Sequence, residues 1–489
     1  MEAVGMMRQS GPQQESRKLW QYLATCSACL MAFAVGTALA WTSPVLPQFA
    51  PTNSTSNTTL NTTSNTASNA TSDSRLIISE EEGSWISSLL AIGAIIGAIP
   101  AGSLADKLGR KKGILSLSVP FFVSWIMIIL ASSVWLFYVA RLIVGIAVGA
   151  ACVVVPTYVS EIAETSSRGT LGSLFQLFIT IGIVLTFVIG SVVSYIGLSI
   201  ACAMVEVLLV ATFIWMPESP TWFVAQGRKA DAVKSLEVLR GDSYDISEEL
   251  ASIQKAAEEQ ASRKSSPFAV IKTRGSRRAL ISSLGTMAFQ QLSGINAVIF
   301  YTVNIFKAAG STMEPSLAAI AVASVQMVMS GVAAVIIDKA GKKPLLIFSS
   351  AVTACCLIAI AFYFKLLEGN SDVSKLGWLP LTSLVIFMMA FSVGLGPIPW
   401  MLTGELFTVE TKPIASSLAV MTNWGLVFLV TKTFPTMKTQ FGSAITFSIF
   451  AIIMGISAVF SFFIVPETKG KTLEAIQHKL HRKRRRNIA

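Results

Sequence analysis

Twelve apolar runs of membrane-crossing length, separated mostly by short polar loops, limit what this chain can fold into. A helix needs ~20 consecutive apolar residues to cross a bilayer. In hydrocarbon every backbone N–H and C=O must be paired within the protein, which leaves helices as the natural solution for runs of this kind. Of the 489 residues 53% are hydrophobic and 13% charged, against about 25% charged in soluble domains. Disordered, collagenous and disulfide-scaffold classes are excluded. Cys26, Cys29, Cys152, Cys202, Cys355 and Cys356 all lie in apolar runs, so no disulfide framework is expected, and the Cys26-x-x-Cys29 pair reads as small packing residues.

Breakers and charges delimit the spans. The first six run from Trp20 to Trp41, Ser84 to Leu104, Ile114 to Ser133, Trp135 to Pro156, Leu171 to Val193 and Gly197 to Met216. The second six run from Ala279 to Thr302, Pro315 to Ile337, Leu345 to Leu366, Pro380 to Gly404, Pro413 to Phe434 and Gly442 to Val465. The first is too long for a signal-peptide core, although Ala38-Leu39-Ala40 resembles a cleavage site. The expected fold class is therefore an all-α membrane protein of twelve transmembrane helices in two six-helix repeats. A tail (1–19) precedes an N-terminal bundle (20–216) with an Asn/Thr-rich loop at 45–83. A helical linker (217–278), a C-terminal bundle (279–465) and a basic tail (466–489) follow.

The formal charge of +11 is concentrated beside the spans, which indicates a membrane surface rather than nucleic acid. Lys107, Arg110, Lys111 and Lys112, then Arg168, then Lys339, Lys342 and Lys343, and finally the run from His481 to Arg486 all occupy loops on one side. The positive-inside rule makes that side cytoplasmic and, with an even number of spans, both termini with it. Asn53, Asn57, Asn61 and Asn69 satisfy N-x-[ST] in the loop expected on the other side, where glycosylation is possible. Within the linker, Ala230–Leu239 and Glu248–Glu259 have helical spacing, and Ser265-Ser266-Pro267 breaks it.

The halves repeat each other. Asp106-Lys107-Leu108-Gly109-Arg110-Lys111 matches Asp338-Lys339-Ala340-Gly341-Lys342-Lys343; Glu161…Arg168 matches Glu405…Lys412; Pro217-Glu218-Ser219-Pro220 matches Pro466-Glu467-Thr468-Lys469. The offsets are 232, 244 and 249 residues. Duplicated halves are the architecture of carriers that rock about a central site, and these charged ends are expected to gate the cytoplasmic side. Arg141 is an intramembrane charge and needs a partner; Glu161 or Glu405 is expected to supply it. Glu206 is a second isolated intramembrane charge, with no partner suggested by the sequence.

Few other residues in the spans can recognise a ligand. Gln176, Gln290, Gln291, Asn296, Gln326 and Asn423 are amides, and the run Gly394-Leu395-Gly396-Pro397-Ile398-Pro399-Trp400 breaks span ten. Amides both donate and accept without net charge, and Trp400 offers a flat apolar face. This combination suits a neutral polyol such as a sugar; the competing reading is interhelical amide packing. No nucleophile–base pair and no metal-ligand cluster occurs in the spans, which argues against an enzyme, and neither cofactor nor obligate protein partner is implied.

Taken in order, the Asp106 loop, Arg141, Pro156…Glu161…Arg168-Gly169, Pro217-Glu218-Ser219-Pro220, Gln290-Gln291-Leu292-Ser293-Gly294, Gly396-Pro397-Ile398-Pro399-Trp400, Asn423-Trp424 and Pro466-Glu467-Thr468-Lys469-Gly470 resemble the motifs of the sugar-porter family of the major facilitator superfamily. Within that family the chain is similar to insect facilitated trehalose and hexose transporters. The resemblance implies alternating-access transport of a neutral sugar (hexose or trehalose) across a cell membrane. It also implies sugar contacts at Gln176, Gln290, Gln291, Asn296 and Trp400, and charged networks that lock the outward-facing state. Departures are Gln326 in place of Asn, Ser392 in place of an acid, and Lys339, Lys342 and Lys412 in place of Arg. No Asp or Glu lies between Trp20 and Pro47, where proton-coupled relatives carry an acid, and His478 and His481 are both in the tail. A uniporter is expected; the alternatives are a proton symporter using Glu206 and a non-transporting sugar sensor.

Overall fold

The computed structural model describes residues 18–49, 76–164, 166–241, 244–262, 273–310, 313–407 and 411–469. The sequons at Asn53, Asn57, Asn61 and Asn69 and the basic run after Lys469 lie outside the described residues, as do the side chains of Asp338 and Lys412. Eleven helices among the described residues are long and apolar enough to cross a membrane. The last, Lys412–Phe463, has 52 residues and is interrupted at Gly442 (φ 82°, ψ 162°). At 1.5 Å per residue its length is about twice that of a single crossing. Its ends show that the chain turns back at the glycine. Glu368, at one end of the helix Lys342–Glu368, accepts from the Ser443 N–H at 2.6 Å, while Glu467 accepts from the Lys342 and Lys343 N–H groups at the other end. The segment after Gly442 therefore runs antiparallel to span nine, and twelve crossings result.

Several boundaries differ from those expected. Span one continues past Trp41 through Thr42–Val45 and a 3-10 turn at Leu46–Gln48. Span two starts at Glu80, where Ser79 and Glu82 form a reciprocal capping box; the Ser-x-x-Glu signal is legible in the sequence. Span seven is two helices, Arg274–Leu292 and Ile295–Ala309, hinged at the left-handed Gly294. Span ten is likewise divided into Leu379–Val393 and Ile398–Glu405. The linker forms helices at Pro220–Ala225, Lys229–Arg240 and Ser247–Ser262. Fully buried Arg240 ties them to the N-terminal spans: it pairs with Glu249 at 2.6 Å and donates to the Ile162 carbonyl at 2.9 Å, at the end of span four.

With lipid outside, apolar area cannot by itself hold helices together, and close backbone packing takes its place. Span two (Glu80–Leu108) carries Gly93 and Gly97, and span four (Val134–Ile162) carries Gly145 and Gly149. Each pair is spaced G-x-x-x-G, and the two stripes lie against each other. A Cβ on Gly97 would sit 1.9 Å from the Ile146 carbonyl oxygen, and one on Gly149 would sit 2.0 Å from that of Ala94. Gly149→Val is expected to force this crossing apart, at a cost of at least about 1–3 kcal/mol. Gly102→Ala, which meets no atom within 4 Å, serves as the control. Surface yield and detergent unfolding temperature should fall for Gly149→Val only; equal values for the two variants contradict the packing.

Candidate functional site

The division of span ten creates an electrostatic problem inside the protein. Pro399 has no N–H to return to the Leu395 carbonyl four residues earlier, so that carbonyl needs another donor. Gln290 supplies it: its Nε2 donates to Leu395 O at 2.9 Å and to Gly396 O at 2.6 Å. The Oε1 of Gln290 accepts from Asn423 Nδ2 at 2.9 Å and from Gln291 Nε2 at 3.5 Å, and the Oε1 of Gln291 accepts from Asn296 Nδ2. An amide chain from Asn296 to Asn423 thus joins both parts of span seven to spans ten and eleven. Its members are between 3% and 8% exposed.

The other expected contacts sit differently. Gln326 is also buried, whereas Gln176 is exposed and Trp400 is 41% exposed. Gly169, Gly172, Gln176, Thr180, Ile183, Phe187 and Gly190 form one stripe on span five (Arg168–Val192) at helical spacing. From Thr180 onward the stripe is buried; Gly169, Gly172 and Gln176 are open. The open part lies toward the face that carries the basic loops. At the far face the N- and C-terminal spans touch: the Val303 N–H donates to Ser43 Oγ at 3.3 Å. The two sets of six spans therefore touch at the far face, while the span-five stripe is exposed toward the basic face.

Among the described residues, charged motif residues pair within each set of six spans. Arg110 makes a two-pronged contact with Glu161, Nε–Oε2 at 3.0 Å and Nη2–Oε1 at 2.9 Å, and also pairs with Asp106 at 2.7 Å. Ser219 Oγ donates to Glu161 at 2.5 Å, and Glu218 accepts from the Lys111 N–H at 2.9 Å. In the second half Lys342 Nζ pairs with Glu405, and Glu467 takes the place of Glu218. Partial burial alone would raise the Glu467 pKa, but the backbone N–H groups of Lys469, Lys343, Lys342 and Thr468 together hold it below its ordinary value. Gly109 (φ 96°) and Gly341 (φ 88°) make this possible, because a Cβ at Gly109 would lie 2.3 Å from Glu218 Oε2. Arg168 is exposed at the start of span five.

Arg141 corrects the sequence reading. Among the described residues it has no carboxylate partner: its Nη1 donates to Ala38 O at 2.8 Å and its Nε to Ile86 O at 3.0 Å, beside the Trp41 ring. Glu161 is twenty residues farther along the same helix, about 30 Å away at the helical rise. The arginine instead clasps spans one, two and four near the far face. Glu206 is 2% exposed, and neither of its oxygens has a hydrogen-bond partner among the described residues. All six cysteines are free.

The model of the family described as "Sugar (and other) transporter" matches residues 14–480. The chain belongs to this family. The facilitated trehalose transporter Tret1 of Polypedilum vanderplanki is 38% identical over 463 residues, covering 94% of this chain and 88% of that protein. A partially occluded inward-open form of the xylose transporter XylE from E. coli superposes with a TM-score of 0.73 at 22% identity, over 93% of this chain and 100% of XylE. XylE described as a proton:xylose symporter bound to 6-bromo-6-deoxy-D-glucose gives 0.69 at 22% identity, covering 94% and 99%. The chain is a multi-pass sugar transporter of the major facilitator fold, not an enzyme.

Two features of this sugar transporter escape sequence reading. Nothing in the neighbourhood of Arg240 distinguishes it from other linker charges, and the amide-to-carbonyl bridge joins residues more than 100 positions apart. Gln290→Leu should leave the buried Leu395 carbonyl without its donor and remove the Gln290 contacts of Gly396 and Asn423, an unsatisfied buried polar group costing about 1–3 kcal/mol. Unfolding temperature and transport rate are expected to fall together, the rate by at least about tenfold. Gln176→Leu should raise the half-saturating sugar concentration at an unchanged unfolding temperature. A Gln290→Leu protein as stable as the parent contradicts the bridge.

Proposed function

We propose that this transporter is a facilitative uniporter of a neutral sugar, trehalose or a hexose, working by alternating access between two six-helix bundles. The observation that carries the reading is the chain of uncharged amides from Asn296 to Asn423, with the exposed Trp400 one helical turn beyond the Gly396 carbonyl that Gln290 holds. Sugar hydroxyls can exchange hydrogen bonds with amides that both donate and accept, and the C–H face of a sugar packs on an indole. In this reading Gln176 and Trp400 meet the sugar first, and Gln291, Asn296 and Gln326 engage it as the bundles close. The similarity to Tret1 favours trehalose.

In the same reading the basic face is cytoplasmic, both termini lie there and the protein resides in the plasma membrane. The networks around Arg110–Glu161 and Lys342–Glu405 brace each bundle, while Arg168, Asp338 and Lys412 join the bundles when the far face opens. Uniport is supported by the stretch Trp20–Gln48, which contains no acid. Glu206, buried and with no hydrogen-bond partner among the described residues, favours the second reading, proton symport.

The test is uptake of labelled trehalose, glucose and fructose into proteoliposomes, with and without an imposed proton gradient. Uniport predicts saturable uptake of at least one sugar at a rate the gradient leaves unchanged. Gradient-driven accumulation abolished by Glu206→Gln establishes symport instead, and binding without flux establishes a sensor.

A further inference from the structure

Span eleven carries one charge that the account above leaves unused. Lys432 projects from the C-terminal spans onto the beginning of span two, which belongs to the N-terminal six. Its Nζ donates to Ser84 Oγ at 2.8 Å, lies 4.4 Å from the centre of the Trp85 ring and is 4.0 Å from Glu81 Oε1. One helical turn earlier on span eleven, the Phe428 ring packs 6.2 Å from that of Trp85. The ammonium has three N–H donors, and a hydroxyl, an indole face and a carboxylate surround it. The Lys432 side chain is 20% exposed, so solvent screens these contacts incompletely. All three groups that grip it come from the opposite six spans, at the closed far face.

We propose that Lys432 is the latch of the far-face gate, a positioning residue whose release from Glu81, Ser84 and Trp85 must precede opening toward that side. The strength of its grip sets the fraction of transporters facing the basic side. A ligand or substitution moves a two-state equilibrium only through interactions that differ between the states, and this contact joins surfaces that must part for the far face to open. The proposal rests on the alternating-access part of the reading above. Its test uses no sugar, so a wrong substrate assignment leaves the test intact.

Two reporter cysteines read the two faces. Ser43→Cys lies at the far-face contact, where Ser43 is 1% exposed, and Gly172→Cys lies on the open part of the span-five stripe. Each is combined with Lys432→Met, Lys432→Arg or Trp85→Ala, and its reaction with a charged, membrane-impermeant methanethiosulfonate is followed against a parent carrying the six native cysteines. Ser43→Cys is probed from outside in intact cells and Gly172→Cys in inside-out vesicles. Lys432→Met is expected to speed labelling of Ser43→Cys by at least about threefold and to slow labelling of Gly172→Cys. Lys432→Arg should restore both rates, and Trp85→Ala should act in the same direction as Lys432→Met. Unchanged far-face labelling overturns the proposal, as does faster labelling at both reporters, which signifies general loosening. If Lys432→Met does not reach the surface, Trp85→Ala decides the matter by the same criteria.

Discussion

A carbonyl without a donor cannot be left in a low-dielectric interior, and the arrangement of this transporter's centre follows from that constraint. Pro397 and Pro399 open span ten, and the freed Leu395 carbonyl, with that of Gly396, draws in the Gln290 side chain. Once Gln290 is oriented, its own oxygen is presented to Asn423 and Gln291, and Gln291 in turn to Asn296. The buried amide chain is thus organised around a broken helix. Arg141 is likewise held by backbone oxygens: its guanidinium donates to the Ala38 and Ile86 carbonyls, with no carboxylate partner among the described residues.

The duplicated halves solve one problem with two strengths. In both, a glycine at positive φ lets a glutamate seat on the N-terminal amides of the following helix: Glu218 on the helix from Arg110 and Glu467 on the helix from Lys342. The second contact differs. Arg110 grips Glu161 through two nitrogens, whereas Lys342 reaches Glu405 through a single ammonium, and Glu405 Oε2 has no hydrogen-bond partner among the described residues. A planar fork fixes geometry in a way a point charge does not, so the N-terminal brace is the more rigid of the two. The glycine stripes of spans two and four add to that rigidity. Motion is correspondingly easier to place in the C-terminal spans, where Gly294 and the Gly394–Pro397 break supply hinges.

Much of this was legible in the chain itself. Apolar runs and breakers located the spans, and matched motifs showed the duplication, because both are local patterns. The divided span ten followed from its prolines, but the divided span seven hinges on Gly294, whose left-handed backbone no residue count reveals. The partners of Arg141 are main-chain carbonyls, which every residue carries and no residue type marks in the sequence. Whether an amide faces a cavity or another amide depends on contacts more than 100 residues apart, such as Asn423 with Gln290. Gln176 and Gln290 read alike in sequence, yet one is exposed and the other 4% exposed. Lys432 meets Ser84 of span two across 348 positions of sequence, a contact that no local pattern marks.

The central claim is that one site, open to the basic face and closed at the far face by contacts between the two sets of six spans, is presented to each side in turn. Counterflow addresses it directly. Proteoliposomes preloaded with unlabelled trehalose, or with the hexose the protein carries, are diluted into trace labelled sugar in the presence of a protonophore. Alternating access predicts a transient accumulation of label above its outside concentration, followed by decay as the preload runs down. A monotonic rise to equilibrium, with no overshoot at any preload, contradicts the account.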